Sequence, residues 1–160
     1  MAATELRKKS NAWLKKLLRD KYFGIVLNLG CARDKDVEGY YYSNYFVYDK
    51  LIKIDINKEI DGLDYIAKAE DLPLPDNSID FLFMNWVFYK TDMPRALKEI
   101  RRVLKPGAKA MISYADRSEE VVLKIRNLLK TSFEVIHFFE TYYNLYQDKR
   151  KAEMIYGTLI

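Results

Sequence analysis

The chain has one cysteine and one histidine in 160 residues. Cys31 alone can form neither an intrachain disulfide nor a cysteine cluster for zinc, and a lone His137 disfavours an imidazole-built centre, so no metal site is expected. Glycine is scarce as well, at six residues. No apolar run approaches the roughly 18 residues that a membrane-spanning helix needs. The charged N-terminus has no apolar core of the secretory type, so no export signal is expected. With a single cysteine, that points to a cytoplasmic location. Charge of one sign is also confined: residues 1–21 carry seven Lys/Arg against Glu5 and Asp20, a net +5, while the whole chain is at +4. The remainder is therefore almost neutral, and the basic character belongs to one segment.

What is present begins with Ile25–Arg33, I-V-L-N-L-G-C-A-R. A continuous β-branched run suits a strand buried on both faces, as in parallel sheets. Gly30 at its carboxyl end allows a tight turn and close approach of a ligand. A second strand, Leu51–Ile56, places Asp55 at its own carboxyl end, where an acid can accept hydrogen bonds from ribose hydroxyls. Strand, glycine turn, crossover, strand and acid is the layout of a nucleotide-binding βαβ unit. The turn has one glycine where a dinucleotide fingerprint has three.

Thr4 to about Lys21 reads as an amphipathic helix, with Leu6, Trp13, Leu14, Leu17 and Leu18 at helical spacing. Its basic face is expected to be solvated, and a nucleic-acid contact through it is not favoured. Asp34–Lys50, rich in tyrosine, is expected to contain a crossover helix, because parallel strands require a long connection. Leu63–Leu72 holds a short third strand, Pro75–Ser78 a turn, and Ile79–Val87 a fourth strand ending near Asn85. Asp92–Leu104 reads as a helix with Pro94 in its first turn, stopped by Lys105-Pro106-Gly107. Lys109–Tyr114 is a fifth strand and Ser118–Lys130 a helix. Phe133–Glu140 and Ala152–Leu159 have no long helix between them and are expected to pair antiparallel. These elements predict an α/β fold, a three-layer αβα sandwich with a mostly parallel seven-stranded sheet and a C-terminal antiparallel hairpin. A single domain over 1–160 is expected, with the helix at 1–21, a ligand-binding core at 25–116, and a helix and hairpin at 117–160.

Four stretches in order carry a resemblance: L-N-L-G-C at 27–31, I-D-I at 54–56, A-E-D-L-P-L-P-D-N-S-I-D at 69–80 and E-I-R-R-V-L-K-P-G at 99–107. Together they resemble the class I S-adenosylmethionine-dependent methyltransferases, in particular the small "type 11" branch, whose fold is Rossmann-like. The resemblance implies S-adenosylmethionine as cofactor, with S-adenosylhomocysteine as product. It implies that Gly30 and the Cys31–Ala32 backbone approach the methionine portion, with Asn28 beneath. Asp55 would hold the ribose and Ile56 the adenine face. Ala69, Glu70 and Asp71 would lie along the adenine edge, and Asn85, Trp86 and Val87 would border the sulfonium and the acceptor's mouth.

The chain departs from that pattern at several positions. Asn28 stands where the family usually has an acid, and Ala32 and Asp34 replace the later loop glycines. Lys68 stands where an aspartate often accepts the adenine amino group, which an ammonium cannot do. Phe88-Tyr89-Lys90 replaces the common Leu-Glu-His, and Ala108 follows Gly107. Methyl transfer from a sulfonium mainly requires alignment and exclusion of water, so no universal catalytic residue is implied. Tyr89, Tyr114 and Asp116 are candidates near the mouth. No Asn/Asp-Pro-Pro-Tyr signature is present, which disfavours adenine-N6 methylation. Three functions stay open: a methyltransferase acting on an unidentified small molecule or macromolecule, a degenerate module that binds or scaffolds without turnover, and a nicotinamide-binding protein. The pocket is expected to be open, or closed by a second copy in a homodimer.

Overall fold

The computed structural model describes residues 3–160. Helix α1 (Ala3–Leu18) leads into β1 (Tyr22–Leu29), then β2 (Val47–Asp55), β3 (Tyr65–Ile66) and β4 (Ile79–Met84). Helix α2 (Met93–Val103), β5 (Leu104–Asp116), helix α3 (Glu119–Lys130), β6 (Phe133–Leu145) and β7 (Asp148–Leu159) complete the chain. The seven strands form one sheet in the order β3-β2-β1-β4-β5-β7-β6. The first five are parallel, and β7 inserts antiparallel between β5 and β6. No helix among the described residues is long and apolar enough to cross a membrane.

The alternation of side chains along each strand sorts the core into two layers. Leu27, Leu29, Ile54, Leu82 and Met84 meet α2 and α3 on one face through Leu97, Ile100 and Ile125. Val26, Phe81, Phe83, Met111 and Met154 meet Leu14 and Leu18 of α1 on the other. Phe23 stacks on Phe81 at 3.9 Å between ring centroids. Burial of this kind supplies about 25 cal/mol per Å² of apolar surface, which is why these runs become central strands. The third layer is thus α1 together with the tyrosine-rich stretch, since Tyr45 and Phe46 belong to the same cluster.

That stretch corrects an expectation. No α-helix lies between β1 and β2; the connection holds a single 3-10 turn, Tyr42–Tyr45. The reason is local. Asp36 Oδ1 accepts the backbone N–H groups of Glu38 (2.9 Å) and Tyr40 (3.0 Å), and Gly39 has φ +87°. Side-chain acceptors of this type compete with helical hydrogen bonding. Asp36 also accepts the Tyr45 hydroxyl at 2.5 Å and lies 3.6 Å from Lys15 of α1. A buried carboxylate thus ties the loop to itself and to α1.

Other boundaries also move. Helix α2 ends at Val103, but Lys105-Pro106-Gly107 lies inside β5, where Leu104 pairs with Ile79 and a bulge intervenes before Lys109 meets Phe81. Proline is tolerated in a strand at such bulges. Asp92 caps α2 by accepting the Arg95 N–H, and Ser118 caps α3 by accepting that of Val121. The last two strands reach past Glu140 and start before Ala152, leaving only Tyr146 and Gln147 between them.

Candidate active site

The glycine turn sits where β1, β2 and β4 end. Gly30 has φ +69° and donates its N–H to Ile54 O at 2.8 Å, which fastens the turn to β2. A Cβ on Gly30 would lie 2.5–2.9 Å from the Val87 side chain, so the absence of a side chain is what lets the two loops approach. Asp55 accepts the Ala32 N–H on one oxygen and the Asn57 N–H on the other, each at 2.9 Å. Each carboxylate oxygen keeps a further lone pair for a ligand hydroxyl.

Around this turn lies a cleft of two lobes. The first, about 460 Å³, is lined by Asp55, Ile56, Lys68, Ala69, Glu70 and Thr91, among others. The second, about 390 Å³, lies over Asn28, Cys31, Ala32, Tyr42, Asn85 and Trp86. Gly30, Asp55, Val87 and Lys90 border both. A larger hollow of about 670 Å³ between α3 and β6 shares none of these residues, so size alone does not mark the site.

The backbone of the cleft is strained. Ala32 (φ 45°), Asp34 (φ 56°) and Trp86 (φ 60°) all occupy the left-handed region. Such conformations cost about 1–3 kcal/mol each and cluster at functional sites. They are held by specific contacts. Trp86 N–H donates to Ser113 Oγ, which donates to Asn85 Oδ1, both at 2.7 Å. Asn28 donates its amide to Asp34 at 2.8 Å, and Ser43 donates to the other oxygen at 2.7 Å. Burial raises the Asp34 carboxyl above its ordinary pKa in spite of those two donors. Asn28 and Asp34 together therefore put a carboxyl group beneath the loop, at a position where an acid at 28 alone was the expected pattern.

Of the residues expected to bind cofactor, eleven border the cleft: Asn28, Gly30, Cys31, Ala32, Asp55, Ile56, Ala69, Glu70, Asn85, Trp86 and Val87. Asp71 lines a neighbouring depression instead, turned away as its N–H closes onto Lys68 O at 3.1 Å. None of the three catalytic candidates lines either lobe. Tyr114 is fully buried on the α2–α3 face and donates to Glu153 at 2.9 Å. Asp116 accepts the Ser118 N–H at 3.1 Å ahead of α3. Tyr89 packs against the α2–α3 side of the core, and burial raises its phenol pKa. Burial also pushes the Cys31 thiol up to about 12, which makes it a poor nucleophile. His137 is exposed on β6, outside the cleft.

The sequence reading missed a group of polar residues that the fold delivers from a distance: Arg7 from α1, with Lys35, Asp36 and Tyr42 from the tyrosine-rich loop. Tyr42 donates to Asn11 of α1 at 2.8 Å, and burial pushes its phenol up to about 12. It also missed Arg102. That guanidinium donates to Leu74 O (2.7 Å), Leu72 O (2.9 Å), Asp76 (2.9 Å) and Glu99 (2.8 Å), while Glu99 accepts the Leu72 N–H (2.8 Å). The stretch at 69–80 is thereby clamped to α2, which explains physically why the third and fourth of those sequence stretches occur together.

A doubly bordered cleft at the carboxyl ends of parallel strands, with a glycine turn and an acid at the end of the next strand, is the arrangement of a nucleotide-binding cleft on an α/β sheet. Residues 27–112 match the model of the methyltransferase domain family, and the chain belongs to that family. The cofactor of the family is S-adenosylmethionine. The chain is 32% identical over 95 residues, 52% of its length, to the mitochondrial arginine-hydroxylase NDUFAF5 of Rattus norvegicus. It is 31% identical over 98 residues, 56% of its length, to the ubiquinone/menaquinone biosynthesis C-methyltransferase UbiE of a Shewanella species. It spans 26% and 38% of those two relatives. In fold it is similar to a SAM-dependent methyltransferase from Aquifex aeolicus, with a TM-score of 0.61, 18% identity and full coverage of both chains.

The residues fit the cofactor. Asp55 offers carboxylate lone pairs for two hydroxyls, and Ile56 offers an exposed apolar side chain. Trp86 carries a buried indole N–H with no acceptor among the described residues, in the lobe that would take the methionine portion and the acceptor.

Proposed function

We propose that the chain binds S-adenosylmethionine across both lobes, adenosine in the first and methionine in the second, and acts as a methyltransferase. The observation that carries this reading is the Gly30 turn set against Asp55, bordering both lobes at once. When bound, the cofactor supplies a sulfonium methyl group that an acceptor lone pair takes in line, leaving the neutral thioether and releasing any acceptor proton. The protein's contribution is positioning. Asp55 and the 69–70 backbone would orient the adenosine, and the Asn85–Trp86 loop, fixed by Ser113, would border the reacting end. Tyr42, held near 12, is no base at neutral pH, so the acceptor has to be nucleophilic without help from that phenol. The curated relatives carry the names of a hydroxylase and of a C-methyltransferase, so the acceptor and the chemistry both need direct assay.

Calorimetric titration with S-adenosylmethionine and S-adenosylhomocysteine, with NAD as control, tests the reading. Micromolar binding is expected. Asp55→Ala is expected to weaken it by about 1.5–3 kcal/mol for each charge-assisted hydrogen bond lost; unchanged affinity refutes the ribose assignment. A second reading, a module without turnover, has two observations in its favour. The lobes are pinched where Val87 lies against Gly30, and Lys68 borders the adenosine lobe. Absence of binding at millimolar ligand would select it.

A further inference from the structure

Two arginines converge beyond the second lobe, and the cofactor reading uses neither. Arg7 borders the lobe from α1. The preceding residue, Leu6, packs with Tyr143, Ala152 and the edge of Trp86. Tyr143 faces Arg150 directly across the β6–β7 ladder, so the two side chains leave the same face of the sheet. The Arg150 Nε is buried and has no acceptor among the described residues. Its situation differs from that of the other partly buried arginines: Arg102 is paired with Glu99 and Asp76, and Arg126 with Glu153. No carboxylate lies within ion-pair distance of Arg7 or Arg150 among the described residues. The charges of both arginines act on the phenols of Tyr89 and Tyr143, with the Asp116 carboxylate opposing them at Tyr143. A buried guanidinium donor without an acceptor is costly unless something supplies the oxygen.

We propose that this is an oxyanion subsite, and that the acceptor is a small molecule carrying a carboxylate or phosphate monoester held by Arg7 and Arg150, its body along Trp86. Guanidinium groups match such oxyanions through paired N–H donors. A polyanion is the weaker fit: in the basic segment Lys8, Lys15 and Arg19 are paired with Glu5, Asp36 and Asp20, which leaves only Lys9 and Lys16 beside Arg7 on α1 without an ion pair among the described residues. The word acceptor rests on the methyltransferase reading; the anion subsite does not.

The test titrates the full chain, alone and saturated with S-adenosylhomocysteine, with benzoate, phenyl phosphate and the neutral benzyl alcohol. Benzoate or phenyl phosphate is expected to bind and benzyl alcohol not, the stronger of the two anions naming the oxyanion type. Arg7→Gln and Arg150→Gln are each expected to weaken the anion at least about tenfold. Lys130→Gln, distant and of equal charge change, is expected to have no effect. Arg7 is exposed, so its variant stays readable if Arg150→Gln folds poorly. Equal affinity for the neutral probe, or arginine variants that bind as tightly as the parent or lose no more than Lys130→Gln, overturns the proposal. So does an oligo-uridylate that outcompetes phenyl phosphate and depends on Arg7. The S-adenosylhomocysteine isotherm is read separately: its failure with anion binding intact refutes the cofactor reading alone, and the reverse refutes the subsite alone.

Discussion

Gly30→Ala probes the contact on which the cleft is built. An alanine at φ +69° costs about 1–2 kcal/mol for the left-handed backbone alone. The new Cβ would also lie 2.5 Å and 2.8 Å from the two Val87 methyls and 2.9 Å from the Val87 Cβ. Rotation about χ1 moves the methyls but not the Cβ, so no rotamer of Val87 relieves the clash and the backbone of one loop has to give. Forced overpacking of this kind costs about 1–3 kcal/mol, and a combined loss near 3 kcal/mol is expected. Val87→Ala removes the two shorter contacts and leaves only the 2.9 Å one. In that background the remaining Cβ contact still crowds the new methyl, so Gly30→Ala is expected to cost about 2 kcal/mol, a coupling of roughly 1 kcal/mol. Urea denaturation of the four proteins of the cycle measures it. The same loss in both backgrounds, within about 0.5 kcal/mol, would refute the contact and leave only backbone strain. S-adenosylhomocysteine titration adds a functional reading: the double variant, wider at the pinch, is expected to bind at least as tightly as Gly30→Ala.

Two further outcomes follow from charges outside the cleft. The hydrogen-bonded Arg102 guanidinium holds the Glu99 carboxyl at about 2, well below the ordinary glutamate range. A depressed carboxyl contributes stability above its unfolded pKa and loses it as pH falls through the folded one. The stability gap between parent and Glu99→Gln is therefore expected to be about 2–3 kcal/mol at neutral pH and mostly gone by about pH 2; denaturation curves showing a constant gap would sink the clamp. Glu153 is fully buried and takes Arg126 at 2.6 Å, Tyr114 at 2.9 Å and Lys151 at 3.5 Å. Glu153→Ala strands those donors and is expected to cost about 3–5 kcal/mol, and a calorimetric melt showing a loss under about 1 kcal/mol would mean that the network contributes little.

The strands under the cleft could be read because burial on both faces leaves a plain mark: runs such as Ile25–Leu29 and Phe81–Met84 have no polar alternation except at Asn28. The helices α2 and α3 were marked by their apolar stripes and by Pro94, and their starts coincide with the caps Asp92 and Ser118. Tyr114 misled because nothing in the sequence says which way the fifth strand faces. Ala110, Ile112 and Tyr114 turn towards α2 and α3, while Met111 turns towards α1, and one residue of register decides between core and mouth. The expected crossover helix failed for a different reason. A general rule about parallel strands was set against particular residues, Asp34, Asp36 and Gly39, whose local hydrogen bonds and backbone angles prevailed.

The cleft's two halves differ in where their residues come from. The first lobe, proposed above for adenosine, is built between Leu29 and Thr91, inside the stretch that matches the family at 27–112. Beyond Asn85 and Trp86, the groups proposed to face an acceptor come from further off or from an unexpected loop. Arg7 precedes the matched stretch, Tyr143 and Arg150 follow it, and Tyr42 stands in a loop where a helix was expected. A helix beginning after Gly30 would aim its positive end at the cleft. Here the Ala32 and Asp34 N–H groups are turned to Asp55 and Cys31 O, so positive potential in the second lobe is left to Arg7, Lys35 and Lys90. Side-chain cations are set by local sequence, whereas a helix dipole is a property of the fold. Family membership therefore speaks to the cofactor half of this site, and the acceptor half has to be argued from residues that belong to this chain.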